Sequence, residues 1–275
     1  MNFSVRLPAQ SGVERAMARI DAITLVTADL DRLTAFYVQA LGFTLAGDGG
    51  GADGRMATLR LGETTLKLRQ PMNPGAPYPR PAAANDPWFQ HFAIAVSDMP
   101  AAYARLAAYG HERISQGGPQ LLPPSTGSVT AYKFRDPDGH PLELSFDPAR
   151  PRGSGDPLTL AIDHTALAVQ DYEGAIAWCE ATLGTTLRAR LLNQGPEQDR
   201  LDGLTDVRLD IAVLDFDEGP HLELLHYRQP VSDLTATNRQ PGDVAATVTV
   251  LDGATFDLNL EGHRFAQAAT GASNP

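Results

Sequence analysis

Two histidine–glutamate pairs are the residues of this sequence most suited to metal chemistry. His91 begins the segment HFAIAV, and His164 begins the similar segment HTALAV. Glu143 lies in PLELSF and Glu223 lies in HLELL, each between two leucines. Imidazole and carboxylate ligands suit zinc, iron, nickel or manganese, and two histidines with one carboxylate are typical of non-haem iron sites. The sequence therefore predicts a divalent-metal site, provided that these four side chains meet.

The alternation of residues in these segments predicts strands whose histidines and glutamates share one face. Neighbouring side chains of a strand point to opposite faces. The residues on the same face as His91 and His164 are mostly alanines, whereas the opposite face carries bulky residues such as Phe92 and Leu167. Glu143 and Glu223 point away from their flanking leucines. Small residues beside a histidine leave room for a ligand, so we expect a concave site.

A repeat along the chain must position these residues. Each copy is a short apolar run that ends on an aspartate, followed by a helical pattern and then a glycine. The aspartates are Asp29, Asp98, Asp171 and Asp252, and the glycines are Gly42, Gly110, Gly184 and Gly262. Aspartate is a favourable helix N-cap, and glycine suits the left-handed position after a helix C-terminus. Three further strand patterns follow each of the first three glycines, so the repeat unit is β-α-β-β-β. We number the copies modules 1 to 4, beginning at Ala22, His91, His164 and Ala245.

The predicted fold class is α+β, with tandem βαβββ modules that form curved, mixed-sheet cups. Modules 1 to 3 are complete, and module 4 is truncated to a strand and a helix because only 31 residues remain from Ala245. Residues 70–87 contain six prolines and are typical of a linker or lid. We predict a first domain at residues 18–148, with modules 1 and 2, and a second at residues 158–275, with module 3 and the partial module 4. Within the sequence DPDGH, Gly139 is expected to supply the positive φ of a hairpin turn.

These segments resemble the vicinal oxygen chelate superfamily, which includes glyoxalase I, extradiol dioxygenases and bleomycin resistance proteins. The most specific matches are WFQHFAIAVSD at 88–98, FRDPDGHPLEL at 134–144 and IDHTALAV at 162–169. The resemblance implies that paired modules close into a cup and that the metal chelates two neighbouring oxygens of a small substrate. It also implies that the metal ligands are His91, Glu143, His164 and Glu223. Module 1 departs from this pattern with Ala22 and Lys67 at the ligand positions, and module 4 has Ala245 at the first position and no second one.

Three pairings of the modules are compatible with the sequence. Pairing 1 with 2 and 3 with 4 leaves each cup with one histidine and one glutamate, which is too few for a tight metal site. Pairing 2 with 3 brings all four ligands together. In the third arrangement, module 3 of two subunits meets across a two-fold axis, which requires a homodimer. In the first pairing, Lys67 would face His91 and Glu143 and replace the charge of the metal, or it would be a solvated lysine on an edge strand.

The resemblance implies a lyase or isomerase in which the metal polarises a substrate oxygen while Glu143 or Glu223 moves a proton. With iron, a ring-cleaving dioxygenase is the other reaction that it implies. Candidate substrate-binding residues are Lys67, Tyr132, His221 and Gln198, the last of them within a polar insertion at residues 193–201. The alternative function is a non-catalytic binding protein of the bleomycin-resistance type, with a metal-free pocket.

The composition limits the partners. With 33 acidic and 22 basic residues, the formal net charge is −11, which repels nucleic acid and acidic membrane surfaces. The one cysteine, Cys179, cannot form an internal disulfide, and no apolar run approaches the roughly 18 residues of a spanning helix. The first residues lack the apolar run of a signal peptide. We therefore expect a cytoplasmic protein that acts on a small molecule.

Overall fold

The computed structural model describes residues 19–150, 157–235, 239–252 and 258–267. Module 1 contains β1 (Arg19–Val26), α1 (Leu30–Leu41), β2 (Thr44–Gly51), β3 (Gly54–Leu61) and β4 (Thr64–Pro71). Module 2 contains β5 (Gln90–Val96), α2 (Met99–Ala107), β6 (Glu112–Arg113), β7 (Gln120–Leu121), β8 (Thr130–Arg135) and β9 (Pro141–Phe146). Module 3 contains β10 (Thr159–Ala168), α3 (Tyr172–Trp178), β11 (Thr186–Gln194), α4 (Pro196–Asp202), β12 (Arg208–Asp215) and β13 (His221–Gln229). Module 4 contains β14 (Val248–Asp252), β15 (Leu258–Leu260) and β16 (His263–Gln267).

Helix capping follows the predicted aspartates. Asp29, Asp98 and Asp171 each accept a hydrogen bond from the backbone N–H three residues later, at the start of α1, α2 and α3. Each bond satisfies a donor that has no partner inside the helix. Gly42 and Gly184 have left-handed backbone conformations where the helical turns end. The predicted starts of the three helices are confirmed.

The strands form two mixed sheets, which confirms the α+β class. The smaller sheet has the order β15-β16-β14-β1-β4-β3-β2, and the larger one has the order β11-β12-β13-β10-β5-β9-β8-β6, with β7 beside β8. In each module the first strand lies parallel to the last one. The first strands β5 and β10 pair antiparallel in the larger sheet, and β1 and β14 do so in the smaller. The larger sheet thus combines modules 2 and 3, so strand pairing crosses the boundary between the two predicted domains, 18–148 and 158–275, whose division remains a prediction.

Module 4 differs from its prediction. Residues 258–260 and 263–267 form a β-hairpin instead of a helix, and Gly262 lies in its turn with φ 94°. The alternation of Leu258, Asn259 and Leu260 has the period of a strand. Because β16 lies parallel to β14, it takes the place of the last strand that we expected to be missing. Residues 253–257 of the predicted helix lie outside the described residues.

Helices α1, α2 and α3 pack on the core side of the sheets, and the other face of the larger sheet, together with α4, borders a cavity. The apolar side of α1, including Leu33, Phe36 and Tyr37, belongs to the main core, together with buried residues of α2, α3 and both sheets. A second apolar cluster contains Leu209, Ile211 and other residues of β12 and β13. None of the described helices is long and apolar enough to span a membrane.

The DPDGH segment forms the predicted turn and also joins three modules. Gly139 has φ 102°, and a Cβ at this position would lie 2.9 Å from the Cβ of Tyr78. Asp136 accepts hydrogen bonds from three backbone N–H groups of the turn and from the Tyr37 hydroxyl of module 1. His140 is buried, with Nε2 3.0 Å from the carbonyl oxygen of Val244, just before module 4. His140 is therefore a buried joint between modules as well as a turn residue.

Candidate functional site

A cavity of about 950 Å³ opens on the inner face of the larger sheet. Its lining includes the four predicted metal ligands and two of the four candidate substrate-binding residues. They are His91, Glu143, His164, Glu223, His221 and Gln198. Modules 2 and 3 supply most of its lining, to which Gly62, Glu63 and Thr64 of module 1 also contribute.

Strand register brings the four predicted ligands to one place. Across the antiparallel strands β5 and β10, His91 pairs with Ala166, and His164 pairs with Ala93. The same two alanines pair with Glu223 on β13 and with Glu143 on β9. Each glutamate therefore lies beside the histidine pair, on the last strand of its module, which is adjacent to the histidine strand. Of the three pairings that the sequence allowed, the chain adopts that of modules 2 and 3, and one chain supplies all four residues.

Three of the four side chains already have the spacing of a metal site. One ligand atom each from His91, Glu143 and His164 lies within 4.8 Å of the others. His91 Nε2 is 3.4 Å from a Glu143 carboxylate oxygen, and His164 Nε2 is 3.7 Å from a Glu223 carboxylate oxygen. Glu223 lies beside this set of three and is not part of it. Two histidines and one carboxylate, with a second carboxylate adjacent, are a suitable donor set for a divalent transition metal.

The hydrogen bonding around the histidines also fits a metal. Both ring nitrogens of His91 are buried and have no hydrogen-bond partner among the described residues. A buried polar atom of this kind calls for an unseen partner, for which a metal ion is suitable. His164 Nδ1 donates to Asp163, at 3.1 Å, which leaves Nε2 directed toward the site. Metal-binding histidines are commonly oriented by a carboxylate in this manner.

The electrostatics of the site favour a positive charge between the carboxylates. Burial lowers the pKa of His164, but Glu223, Asp163 and Glu143 outweigh this effect and raise it to about 9. Burial raises the pKa of Glu223, but His164 and His221 outweigh this effect and lower it to about 2. Burial lowers the pKa of His91, which keeps this ring neutral. Two carboxylates thus lie beside a neutral His91 ring and a His164 ring that they favour in its charged form, so the site favours a positive charge.

His221 and Gln198 line the cavity, but their surroundings differ. His221 Nε2 is 3.3 Å from a Glu223 oxygen, and its ring centroid lies 5.0 Å from that of His164. Gln198 lies in α4, where its side-chain amide donates to Asp202 at 2.7 Å and accepts from Asn193 at 3.1 Å. His221 is therefore placed to contact a substrate, whereas both polar atoms of Gln198 are engaged within the wall.

Tyr132 and Lys67 do not reach the cavity. Tyr132 is fully buried on the opposite face of β8, where its hydroxyl is 2.7 Å from His111 Nε2. Lys67 lies on β4 of the smaller sheet and is partly exposed. Of the two interpretations of Lys67, the one in which it faces His91 and Glu143 is wrong, because module 2 pairs with module 3 and not with module 1. The alternative of a solvated lysine fits its partial exposure, although β4 is an inner strand and not an edge strand.

Sequence analysis missed three charged residues that complete the site. Lys133, next to Tyr132 on β8, lines the cavity and contacts Asp202 of α4, with Nζ 2.6 Å from the carboxylate. Both side chains are buried, at 4% and 0% exposure, so the ion pair is shielded from water. Burial lowers the pKa of Lys133, but Asp202, Glu143 and Glu223 outweigh this effect and raise it, so the ammonium group stays charged. Because side chains alternate along a strand, Lys133 faces the opposite side of β8 from Tyr132, and this alternation is the sequence pattern that predicts its position. The third residue is Asp163, which directly precedes His164.

The smaller sheet has the same architecture without metal ligands. Its register pairs Ala22 with Val250 and Thr24 with Val248, as His91 pairs with Ala166 in the larger sheet. The equivalent first-strand position of module 4 is therefore Val248, not Ala245 as expected from the sequence. The positions equivalent to the two glutamates lie on the last strands, β4 and β16. They hold Lys67, which pairs with Thr24, and Ala266, which pairs with Val250. None of these four positions, Ala22, Lys67, Val248 and Ala266, carries a ligand for a transition metal.

Comparison with known proteins agrees with the geometry of the fold. Residues 19–144 match the family model of the Glyoxalase/Bleomycin resistance protein/Dioxygenase superfamily. A mutant of glyoxalase I from Zea mays is 20% identical and covers 86% of this chain and 76% of that chain, with a TM-score of 0.61. Glyoxalase I from Zea mays is 21% identical and covers 78% of this chain and 69% of that chain, with a TM-score of 0.55. At this level of identity, the likeness shows a shared fold.

Proposed function

Because residues 19–144 match the family model of the Glyoxalase/Bleomycin resistance protein/Dioxygenase superfamily, we propose that this protein is a metal-dependent enzyme of the vicinal-oxygen-chelate type. It is proposed to act as a lyase or isomerase on a small molecule with two adjacent oxygens. The observation that carries this proposal is the convergence of His91, Glu143 and His164 within 4.8 Å, with Glu223 adjacent. A ring-cleaving dioxygenase would use the same residues if the metal were iron.

His91, Glu143 and His164 would hold the metal, with Glu223 as a fourth ligand or as its close neighbour. The bound metal would supply a Lewis acid for the two substrate oxygens. His164 is oriented by Asp163, and Glu143 is held against His91 on the neighbouring parallel strand. These contacts fix the positions of the ligands before a substrate arrives, so little reorganisation is needed during the reaction.

Glu223 is the proposed proton carrier. It lies outside the set of three close ligands, and its side chain is 16% exposed compared with 9% for Glu143. As a carboxylate next to the three close ligands, it would accept a proton from a substrate carbon. In an isomerase, Glu223 then returns this proton to the neighbouring carbon. His221 contacts Glu223 at 3.3 Å and is placed to orient that carboxylate.

Metal content of the purified protein tests this proposal. The wild-type protein, prepared without chelators, is expected to carry close to one divalent ion per chain, measured by elemental analysis. His164→Ala should lose it. His226→Ala is the matched control, because His226 lies on β13 and hydrogen-bonds the Val169 carbonyl, away from the cavity lining. If the wild type holds no metal and gains no thermal stability from manganese, iron, nickel or zinc, the proposed enzyme is refuted and a non-catalytic binding protein takes its place.

Two further properties belong to the same proposal. The protein is proposed to be cytoplasmic, in keeping with its single buried cysteine. A homodimer is proposed as its assembly, although the four ligands come from one chain and the site does not require a second subunit. Sedimentation measures this directly, and a strict monomer would refute the dimer without affecting the metal site.

A further inference from the structure

The two walls of the cavity differ at equivalent positions. On β8 of module 2, Lys133 pairs across the strands with Glu143. On β12 of module 3, Val213 pairs in the same manner with Glu223. The pseudo-symmetry of the two modules, which produces the metal site, is therefore broken directly beside it. One side presents a buried cation and the other an apolar side chain.

This difference extends along the strands of module 3. In the row next to Val213, Leu191 of β11 pairs with Ile211 of β12, and Ile211 pairs with Leu225 of β13. All three residues line the cavity. Helix α3 of this module packs on the other face of the sheet, whereas α4 borders the cavity through Gln198 and Leu201. Leu191 is partly exposed, whereas Ile211 and Leu225 are at most 7% exposed.

The wall of module 2 is polar by comparison. Besides Lys133, it contributes Ser145, two residues after Glu143 on the same face of β9. The ion pair between Lys133 and Asp202 holds the polar side fixed. A molecule between the walls therefore has one favourable direction, because Asp202 accepts from the Lys133 ammonium and an apolar group beside it would exclude water from the remaining N–H donors.

We propose that the substrate is amphipathic, with an alkyl chain or hydrocarbon ring that lies on Leu191, Ile211 and Leu225. Its two vicinal oxygens lie between His91 and His164, and its polar end lies beside Lys133. This proposal rests on the proposed metal-dependent function for the placement of the oxygens. The apolar row itself requires no metal. With a volume of about 950 Å³, the cavity has room for a hydrocarbon body of this kind.

A series of alkyl hydroxamic acids tests the proposal, because a hydroxamate chelates metals through two neighbouring oxygens. Titration calorimetry on zinc-loaded protein would compare acetohydroxamic acid with octanohydroxamic acid. Full burial of each added methylene strengthens binding by about fourfold. Because part of the chain faces the open mouth of the cavity, we expect a gain of at least about tenfold for the whole series.

Two neighbouring leucines of β11 provide the matched variants. Leu191→Asn should lower the affinity for octanohydroxamic acid by about tenfold or more and leave that for acetohydroxamic acid unchanged. Leu192→Asn is the control, because Leu192 is exposed at 39% and does not line the cavity. Leu191→Ala provides a milder variant if Leu191→Asn does not fold. Equal affinity along the series, or equal loss in the Leu191 and Leu192 variants, overturns the proposal.

Octanamide, which has no chelating group, separates this proposal from the proposed function. If metal-free protein binds octanamide and Leu191→Asn weakens that binding, the apolar row is confirmed as a binding surface. Should acetohydroxamic acid then fail to bind the zinc-treated protein, the metal-dependent function is refuted and the apolar row stands. If acetohydroxamic acid binds but the alkyl chain adds no affinity, the metal site stands and the apolar row is refuted.

Discussion

His91 and His164 face each other across two antiparallel strands, and their ring centroids are 5.7 Å apart. Each histidine pairs with the alanine that lies two residues beyond the other one. Because these alanines leave space, the two rings approach each other from different modules. The candidate metal site is therefore created by the contact between modules 2 and 3, and either module alone carries half of it.

Asp163 should determine how tightly the metal binds. Its carboxylate accepts a hydrogen bond from His164 Nδ1 and also pairs with Arg150. Asp163→Asn is expected to lower metal affinity by about 10- to 100-fold, as is typical when a partner of a ligating histidine is replaced. Competition with a chromophoric chelator measures this affinity. Asp210→Asn is the control, because Asp210 pairs with Arg228 away from the cavity, and an equal loss in both variants would contradict the assigned role.

The two glutamates should separate metal binding from proton transfer. Glu143→Gln is expected to reduce metal content, because Glu143 belongs to the closest set of ligands. Glu223→Gln should retain most of the metal but lose proton exchange by about 10²- to 10⁴-fold, the usual contribution of a general base. Deuterium incorporation into hydroxyacetone, followed by NMR with metal-loaded protein, measures this exchange. Undiminished exchange in Glu223→Gln would show that another group carries the proton.

The sequence pattern predicts the lining of the cavity better at the four candidate metal ligands than in their surroundings. Alternation along a strand shows which residues share a face, and this is sufficient to place His91, Glu143, His164 and Glu223 on the cavity face. It does not show which strand lies beside which, so the pairing of modules 2 and 3 had to come from the structure.

Residues on neighbouring strands were harder to predict for the same reason. The chemistry of its hydroxyl makes Tyr132 the candidate on β8, although the next residue, Lys133, faces the cavity. Asp202 comes from an inserted helix, and only the folded chain shows that this helix reaches module 2. Module 4 was assigned a helix by analogy with the other repeats, whereas local alternation at residues 258–260 favours a strand.

Gly139 should be more sensitive to substitution than another glycine with positive φ. Both Gly139, at φ 102°, and Gly110, at φ 68°, have backbone conformations that disfavour other residues. A Cβ at Gly139 would also lie 2.9 Å from Tyr78, whereas one at Gly110 meets no atom within 4 Å. We expect Gly110→Ala to destabilise the fold by about 1 kcal/mol and Gly139→Ala by about 2–3 kcal/mol or more. Urea unfolding measures both, and equal effects would argue against the contact with Tyr78.

Lys133 should be important for stability as well as for the substrate. Lys133→Met leaves the carboxylate of Asp202 buried without its cation, and removal of one partner from such a pair typically costs about 3–5 kcal/mol. The double variant Lys133→Met/Asp202→Leu removes both charges and should recover much of this loss. Chemical unfolding of the two single variants and the double variant gives the coupling between the residues. Additive losses would show that the ion pair has little energetic role.

His140 should make stability depend on pH above neutrality. Its Nδ1 is 2.8 Å from Asp136, and its Nε2 is 3.0 Å from the Val244 carbonyl, so both nitrogens donate only when the ring is protonated. Burial opposes this charge, but the carboxylates of Asp136 and Asp138 raise the pKa of His140 above its ordinary value of 6.5. Its stabilising contribution is therefore complete below about pH 6.5 and is lost as the pH rises through the raised pKa.

The variant His140→Gln tests this pH dependence by urea unfolding between pH 6 and 9. The wild-type free energy of unfolding is expected to fall over this interval by about 1.4 kcal/mol for each unit by which the pKa of His140 is raised. The free energy of unfolding of the variant should fall less over the same interval. His111→Gln is the control. Because burial and the charge of Arg113 lower the pKa of His111, its contribution changes only below about pH 6.5. If His140→Gln and the wild type lose stability equally above pH 6.5, the imidazolium at this joint between modules does not stabilise the fold.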